Sequence, residues 1–350
     1  MDLYILNRDF EILGVIDDYA SVIWTTRYTQ AGDFEIYIPA TPKNLSLLRT
    51  GNYVKRWDDD MVGIIRTINI TTDVENGDYI TASGPDLKSI LASRIVWQQT
   101  ILSGSVYQCI SKLLTDNIIS PTVSERKIEN FSIAPNTLVE TETIEKQTTG
   151  DNLLDVIVEI CETFGYGFKL TLDERNSIVF SLYKGVDRSQ NQGANSRIVF
   201  SKDFDNLANT TYMYDESNYY NVALVAGEGE GSERKTQAVG TASGLDRYEL
   251  FVDSRNISSN EGEITEEEYN AQLSQQGLEA LAEHQTTESF EGQVIEQYTY
   301  FYKQDYFLGD IVTAENELGI MASTRITEVI ESEDGTGHKI IPTFSDWGLI

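Results

Sequence analysis

The stretch after Gly51 and the stretch after Gly309 carry the same pattern, and a chain that repeats a unit has few architectures open to it. The first copy runs Gly51-Asn52-Tyr53-Val54, then Val62-Gly63-Ile64-Ile65, then Ile68 and Ile70, then Gly77, Tyr79 and Ile80. The second runs Gly309-Asp310-Ile311-Val312, then Leu318-Gly319-Ile320-Met321, then Ile326 and Val329, then Gly337, Lys339 and Ile340. Alternating apolar residues between Gly, Asp and Asn turns predict antiparallel strands that bury one face. Each copy therefore reads as a turn, a strand, an acidic hairpin, a strand, a polar hairpin and a third strand. A unit used twice gives a pseudo-twofold surface, and three such chains in a ring would present six similar faces. Short Val/Ile strands also resemble one another by chance, so the pattern alone leaves duplication and coincidence both open.

At 350 residues the chain is too long for one ordinary core and suggests about two to three domains. No apolar run approaches a membrane span. Met1-Asp2-Leu3-Tyr4 opens directly into strand-like sequence, without a basic n-region or an apolar h-region, so no secretory signal is expected. The two cysteines, Cys109 and Cys161, fall on apolar faces of predicted helices and are expected to be buried free thiols. A disulfide between them stays open but is not indicated.

The formal net charge is −30. Such a surface does not bind nucleic acid by counterion release, nor an anionic membrane. It serves solubility, or it lets a polyanion slide past without sticking. Composition does not separate the two.

The first hundred residues read as β, with hairpin signals at Asn7-Arg8-Asp9 and Gln30-Ala31-Gly32-Asp33. Thr41-Pro42 predicts an N-cap and first helical position for a short helix through Leu48. A second short helix is expected over Pro85–Arg94. Ser105–Asn117 and Asp151–Phe164 then carry apolar residues at helical spacing, the latter stopped by Gly165. A hairpin follows, Phe168–Leu172 and Ile178–Leu182 around Asp173-Glu174-Arg175-Asn176. Arg188–Ser196 reads as a linker or loop. Strands return from Ile198, with one at Asn221–Ala226 and one around Val294–Phe301. Thr265 and Glu268 form a capping box opening a helix to about Gln285, although Gly277 weakens it. The expected fold is mainly β with α+β: two related β domains, 1–100 and 196–350, flank a small α+β domain, 101–195, and a helix is inserted near 265–285.

No catalytic, cofactor-binding or metal-binding residue is expected. His284 and His338 are the only histidines, and no Cys or His lies at a ligand spacing. No Gly-x-Ser-x-Gly elbow surrounds a serine. Gly227-Glu228-Gly229-Glu230-Gly231 lacks the Lys-Ser/Thr of a phosphate loop, and its glutamates would repel phosphate. Asp58-Asp59-Asp60 with Gly63 starts like a calcium loop, but its twelfth position is Asn69, so it reads as a solvated acidic hairpin. Tyr298-Thr299-Tyr300-Phe301-Tyr302 reads as a strand with aromatics on both faces rather than a sugar platform.

One set of residues is specific. Asn221-Val222-Ala223-Leu224-Val225-Ala226-Gly227-Glu228-Gly229-Glu230-Gly231 is followed by Arg234, and Arg247-Tyr248-Glu249-Leu250-Phe251-Val252-Asp253-Ser254-Arg255 comes soon after. Arg27-Tyr28, Gly32-Asp33-Phe34-Glu35, Pro39, Leu308-Gly309-Asp310-Ile311-Val312 and Pro342-Thr343-Phe344 complete it. Together they resemble the baseplate hub or tail-tip family, the Tal-type tail-associated proteins of long-tailed bacteriophages and prophages. The likeness runs over most of the chain and is weakest in the middle.

That resemblance implies a non-enzymatic homotrimer with two related barrels per chain. It implies quasi-sixfold symmetry toward a tail tube or distal tail protein, a tape measure protein nearby, and a tip fibre or spike protein below. DNA would pass without specific binding, no membrane span is needed, and the protein would sit in the virion after assembly in the bacterial cytoplasm. Many relatives carry a C-terminal peptidoglycan-cleaving or receptor-binding extension. The sequence closes at Ile350, just after the second copy, so the hub module alone is expected. The alternatives are a tail-associated peptidoglycan hydrolase, a host carbohydrate-binding tail module, or the hub of a headless tail-like device.

Overall fold

The computed structural model describes every residue except 1, 76, 260–263, 295–298, 317, 320 and 346–350. The N-terminal part runs β1 (Leu3–Leu6), β2 (Ile12–Ile16), β3 (Ser21–Arg27), β4 (Asp33–Pro39), α1 (Pro42–Leu47), β5 (Tyr53–Arg56), β6 (Val62–Ile64), β7 (Thr67–Asp73), β8 (Gly77–Pro85) and α2 (Ser89–Ala92). The middle part runs β9 (Thr100–Gly104), α3 (Val106–Leu114), a π-helical turn, β10 (Phe131–Ile133), β11 (Ile144–Thr148), α4 (Leu153–Phe164), β12 (Gly167–Leu172) and β13 (Ile178–Tyr183). The C-terminal part runs β14 (Val199–Ser201), β15 (Leu207–Asp215), β16 (Val222–Ala226), β17 (Thr236–Val239), β18 (Glu249–Asp253), α5 (Glu266–Glu283), β19 (Thr287–Val294), β20 (Ile311–Glu315), β21 (Met321–Asp334) and β22 (Gly337–Ser345).

The helices start and stop where their caps dictate. Thr41 Oγ1 accepts from the Asn44 amide at 3.2 Å, with Pro42 at the first turn of α1. Ser105 with Gln108 and Thr265 with Glu268 close reciprocal capping boxes on α3 and α5. α4 ends at Gly165, whose φ of 69° is the left-handed conformation glycine adopts freely. Its buried Leu153, Leu154, Val156, Ile157, Val158 and Ile160 contribute up to about 1.5–3 kcal/mol each.

The chain is mainly β with α+β, and no sheet among the described residues closes into a barrel. Barrel-like closure was the expectation carried by the resemblance to tail-tip hubs. Instead β7 and β8 of the first copy and β20, β21 and β22 of the second share one ten-stranded sheet, while β5 and β6 of the first copy lie in a separate sheet. Its main path is β15-β19-β22-β21-β3-β4-β8-β7, with β20 on β21 and β14 on β20. The joint is β21 against β3, antiparallel from Glu328 opposite Arg27 to Asp334 opposite Ser21. A four-stranded sheet, β2-β1-β5-β6, backs the N-terminal part.

The middle part packs α3 and α4 against β10-β13-β12 and β11-β9, and its core includes Val62, Ile64, Leu87 and Leu91 from the first hundred residues. A small sheet, β17-β16-β18, forms a satellite core with α5 around Ala223, Val225, Tyr269 and Leu273. Gly277, which seemed to weaken this helix, is required by it. A β-carbon there would press to 2.7 Å from Val239 Cγ2 and 2.8 Å from Val225 Cγ2. Among the described residues no helix is long and apolar enough to cross a membrane.

Three expectations shift. The helix read over Pro85–Arg94 is one turn, Ser89–Ala92. The strand that the sequence predicts over Phe10–Ile16 begins only at Ile12, because Phe10 has a φ of 61°. The strand expected over Val294–Phe301 is seen only as the end of β19 at Val294; 295–298 lie outside the described residues, and Thr299–Phe301 belong to no strand. Tyr300 and Tyr306 instead pack edge-on to Phe200 at 5.9 and 5.1 Å between ring centroids.

Candidate assembly site: the repeated corner and the Tyr28 junction

The structure keeps the two ends of the repeat seen in the sequence but shifts its middle: Ile65 answers to Ile326, not to Met321. The Gly51 amide donates to Ile65 O at 2.8 Å, and the Ile65 amide donates to Asn52 O at 2.9 Å. In the second copy the Gly309 amide donates to Ile326 O at 2.8 Å, and the Ile326 amide donates to Asp310 O at 2.9 Å. Gly51 and Gly309 share φ values of 88° and 92°. Ile65 and Ile326 are both fully buried. Each copy then slips its register by one residue: between the Gly63–Asp86 bridge and the Thr67–Ser83 pair in the first, and between Ile326 and Glu328 in the second. Each ends in a hairpin that pairs an Asp with a positive-φ Gly, Asp73 with Gly77 and Asp334 with Gly337. The copies diverge at their backs. β5 is paired by antiparallel β1, whereas β20 is paired by parallel β14.

Tyr28 joins the two copies to the middle part. Its hydroxyl donates to Gly165 O and accepts from the Gly185 amide, both at 3.1 Å. Its ring meets Tyr183 edge-on at 5.2 Å, and the Arg325 guanidinium sits 5.3 Å from its centroid. β-Carbons on Gly167 or Gly309 would collide with that ring. Beside it, Arg27 donates to Asp33 at 2.6 Å and to Glu328 at 2.5 Å, which ties the β3–β4 turn to β21. Asp310 accepts from the Val186 amide at 2.7 Å and from Arg188 Nε at 2.8 Å.

Below the junction Lys88 is buried, and its Nζ donates to Arg27 O at 2.7 Å and Gln30 O at 3.0 Å. Burial pulls its pKa down to about 8, and burial pushes the neighbouring Asp86 up to about 6. Asp86 accepts from the Gly32 amide at 3.0 Å, which fixes the turn.

A buried charge network bridges the copies on the other side. Arg56 Nη2 donates to Asp58 at 2.8 Å and to Glu331 at 3.0 Å, while Lys303 Nζ donates to Asp59 at 2.6 Å and to Glu331 at 2.9 Å. The Asp58–Asp60 hairpin is therefore not simply solvated. Asp59 is largely buried against Lys303 because β21 runs beside it. A third cluster holds the satellite sheet. Arg234 donates to Ala226 O at 2.8 Å and Gly227 O at 3.0 Å and pairs with Asp253, which Arg255 also holds at 2.6 Å.

The motif residues thus converge on architecture. Arg27, Tyr28, Asp33, Gly309 and Asp310 meet at one junction, and Arg234, Asp253 and Arg255 at another. Sequence reading missed Lys88, Asp86, Arg188, Arg325 and Glu328. A charged pair inside the apolar run Pro85–Leu91 was the one signal for the first two.

The residues examined for chemistry lie apart. His284 Nδ1 is 2.9 Å from Asn218 Nδ2 at the end of α5, and His338 lies 3.7 Å from Glu331. Cys109 and Cys161 are buried free thiols. Among the described residues no group of His, Cys, Asp and Glu is arranged to hold a metal ion. A cleft of about 400 Å³ between α4 and β18, lined by Asp155, Glu159, Asp253 and Glu283, is polar and acidic.

A fold of this kind, with a duplicated sheet unit, a helical middle and a satellite sheet, defines a class of phage tail protein. The chain belongs to the family of Siphovirus ReqiPepy6 Gp37-like proteins, whose family model matches residues 2–345. Among solved structures it is similar to the tail protein from Neisseria meningitidis MC58, with a TM-score of 0.60, 13% identity, and 98% of this chain and 96% of that one covered. It is similar to the 43 kDa tail protein of prophage MuSo2 from Shewanella oneidensis, with a TM-score of 0.58, 12% identity and 98% of both chains covered. It is also similar to prophage tail protein gp18 from Listeria monocytogenes, with a TM-score of 0.56, 12% identity, and 100% and 96% covered. No curated protein matches the chain. The family places the chain in the virion tail.

Proposed function

We propose that this tail protein is a tail-tip or baseplate hub: a non-enzymatic homotrimeric adaptor between a sixfold tube and a threefold tip. The observation that carries the proposal is the repeated corner at Gly51/Asn52/Ile65 and Gly309/Asp310/Ile326, with the strands that follow each corner joined in one sheet. One chain supplies two near-equivalent units, so three chains supply six. The division into a first hub domain over 1–100, a small α+β domain over 101–195 and a second hub domain over 196–350 belongs to this reading. So do a tail tube or distal tail protein on the sixfold side, a tape measure protein, a fibre or spike on the other side, and assembly in the host cytoplasm. The net charge of −30 suits a wall past which DNA slides without counterion-releasing contacts.

Gold-labelled antibody on purified virions, with mass photometry of the assembled tip, tests the proposal. Label at the distal end and a threefold mass are expected. Label along the tube, or a single copy per particle, would refute it. Clearing of a purified cell-wall suspension would refute the non-enzymatic part and favour a hydrolase.

A further inference from the structure

The two halves of the main path of the ten-stranded sheet, each built on the last strands of one copy of the repeat, present their strands in the same order. The first is β3-β4-β8-β7 and the second β15-β19-β22-β21. Inside the chain the last strand of the second half, β21, pairs with the first strand of the first half, β3. The terminal strands of the sheet, among the described residues, are β7, the counterpart of β21, and β15, the counterpart of β3. We propose that β7 of one copy pairs antiparallel with β15 of the next, so that the β21–β3 joint is repeated between chains. This rests on the adaptor reading and names the surface by which it is built.

The register follows from the strand pairings within the chain. Ile70 lies three residues before Asp73 as Glu331 lies three before Asp334, so Ile70 is the counterpart of Glu331. Gly84 and Phe344 each lie seven residues after the hairpin glycine, and they pair with Phe34 and Phe290. Phe34 pairs with Trp24 and Phe290 with Tyr212, so Tyr212 is the counterpart of Trp24. Trp24 pairs with Glu331 in the internal joint. The joint between copies therefore sets Ile70 opposite Tyr212, Asn69 opposite Met213 and Thr71 opposite Thr211.

The composition of the two strands supports pairing. Soluble proteins guard edge strands with Lys, Pro or bulges that turn the edge away. Neither β7 nor β15 contains Lys, Arg or Pro, although β15 carries a bulge between Ala208 and Thr211. Instead β7 exposes half of Ile70, and β15 exposes about half of Met213 and Tyr214 (51%, 46% and 52%). One feature of the internal joint is not repeated. Arg27 and Glu328 close it, whereas their counterparts, Asp215 and Thr67, offer no opposite charges. Because the contact is head-to-tail, it ends only when a ring closes, and three copies give the six-unit ring of the adaptor reading.

Cysteine pairs in the 350-residue chain test the register. Asn69→Cys with Met213→Cys, oxidised under assembling conditions, is expected to give linked species that end at three copies on a non-reducing gel. Asn69→Cys with Thr211→Cys shifts the match by one same-face position. It is expected to link on the order of tenfold less, because a disulfide needs α-carbons within about 7 Å. Ile70→Asp, with an unchanged far-UV circular dichroism spectrum, is expected to abolish assembly. If mass photometry shows trimers while the first cysteine pair stays reduced, or the shifted pair links better, the register is wrong and the adaptor reading survives. If the chain forms no oligomer alone or in the tail, the adaptor reading fails and this inference with it.

Discussion

The ring of Tyr28 fills the space that a β-carbon on Gly309 would need. Tyr28 belongs to the turn after β3 and Gly309 to the corner before β20, almost the whole chain apart in sequence. Their contact therefore fixes how the two copies of the repeat sit on the middle part. Gly309→Ala carries both a collision with a ring that is only 3% exposed and an unfavourable φ of 92°. It is expected to cost about 3 kcal/mol or more. Gly150→Ala has a comparable φ of 79° but nothing within 4 Å of the new atom, so about 1–2 kcal/mol is expected. Urea unfolding of both variants measures the difference, and equal costs would show that the Tyr28 contact is not tight.

Tyr28→Phe separates the ring from its hydroxyl. The ring still fills the space at Gly167 and Gly309, but the Gly165 carbonyl and the Gly185 amide lose a shared partner. Leaving buried polar groups without their bond costs about 1–3 kcal/mol. The expected outcome is a lower urea midpoint with an unchanged slope. Tyr28→Ala should fall well below it by the added loss of a buried aromatic, about 3–5 kcal/mol.

How much of this was legible in the sequence divides by physics. The caps at Thr41 and Thr265, the stop at Gly165 and the two ends of the repeat were readable, because local spacing and turn chemistry determine them. β15 was not anticipated, since Asn209-Thr210-Thr211 carries no apolar alternation, and its place comes from pairing with β19 far along the chain. The junction itself was visible only as motif residues scattered from Arg27 to Asp310. That Arg27 should find Glu328, or Tyr28 the bare backbone of Gly309, depends on the β21–β3 joint, which no local window contains. The open sheet in place of two barrels has the same origin: closure depends on which edges meet, and edges are a property of the whole chain.

The network across the joint predicts an asymmetry between its members. Arg56 is buried and relies on Glu331, which is also buried and bonds Lys303 as well. Glu331→Ala leaves Arg56 with only the half-exposed Asp58 and is expected to cost about 3–5 kcal/mol, as removal of one member of a buried pair does. Lys303→Met keeps the Arg56–Glu331 bond and removes a cation with partial access to solvent, so the cost should be clearly smaller. Thermal unfolding of the two variants distinguishes them. A larger loss from Lys303→Met would mean that the ammonium, not the guanidinium, holds the joint.

Glu279 gives the chain a pH dependence of known sign. It is fully buried on α5, pairs with Lys146 and accepts from Gln275 at 3.1 Å, while Lys146 also donates to Glu159 at 2.9 Å. Asp151, Asp155, Asp253 and Glu283 line the cleft next to Lys146 and Glu159. Burial pushes Glu279 up to about 7 in spite of Lys146, with Glu159 adding to the rise. A carboxyl whose folded pKa lies above its unfolded value holds more protons when folded. Its contribution is therefore complete below the unfolded pKa and is lost as pH rises toward 7. Between pH 5.5 and 7.5 the satellite sheet should loosen by on the order of 1–2 kcal/mol as pH increases. Glu279→Gln removes the titrating group while keeping an oxygen for Lys146, and should flatten this slope without unfolding the chain. Hydrogen exchange of β16 and α5 amides at the two pH values reads the effect locally. Equal protection in the native chain at both values, or the same slope in the Gln variant, would show that Glu279 is already ionised across this range and that another group sets the response.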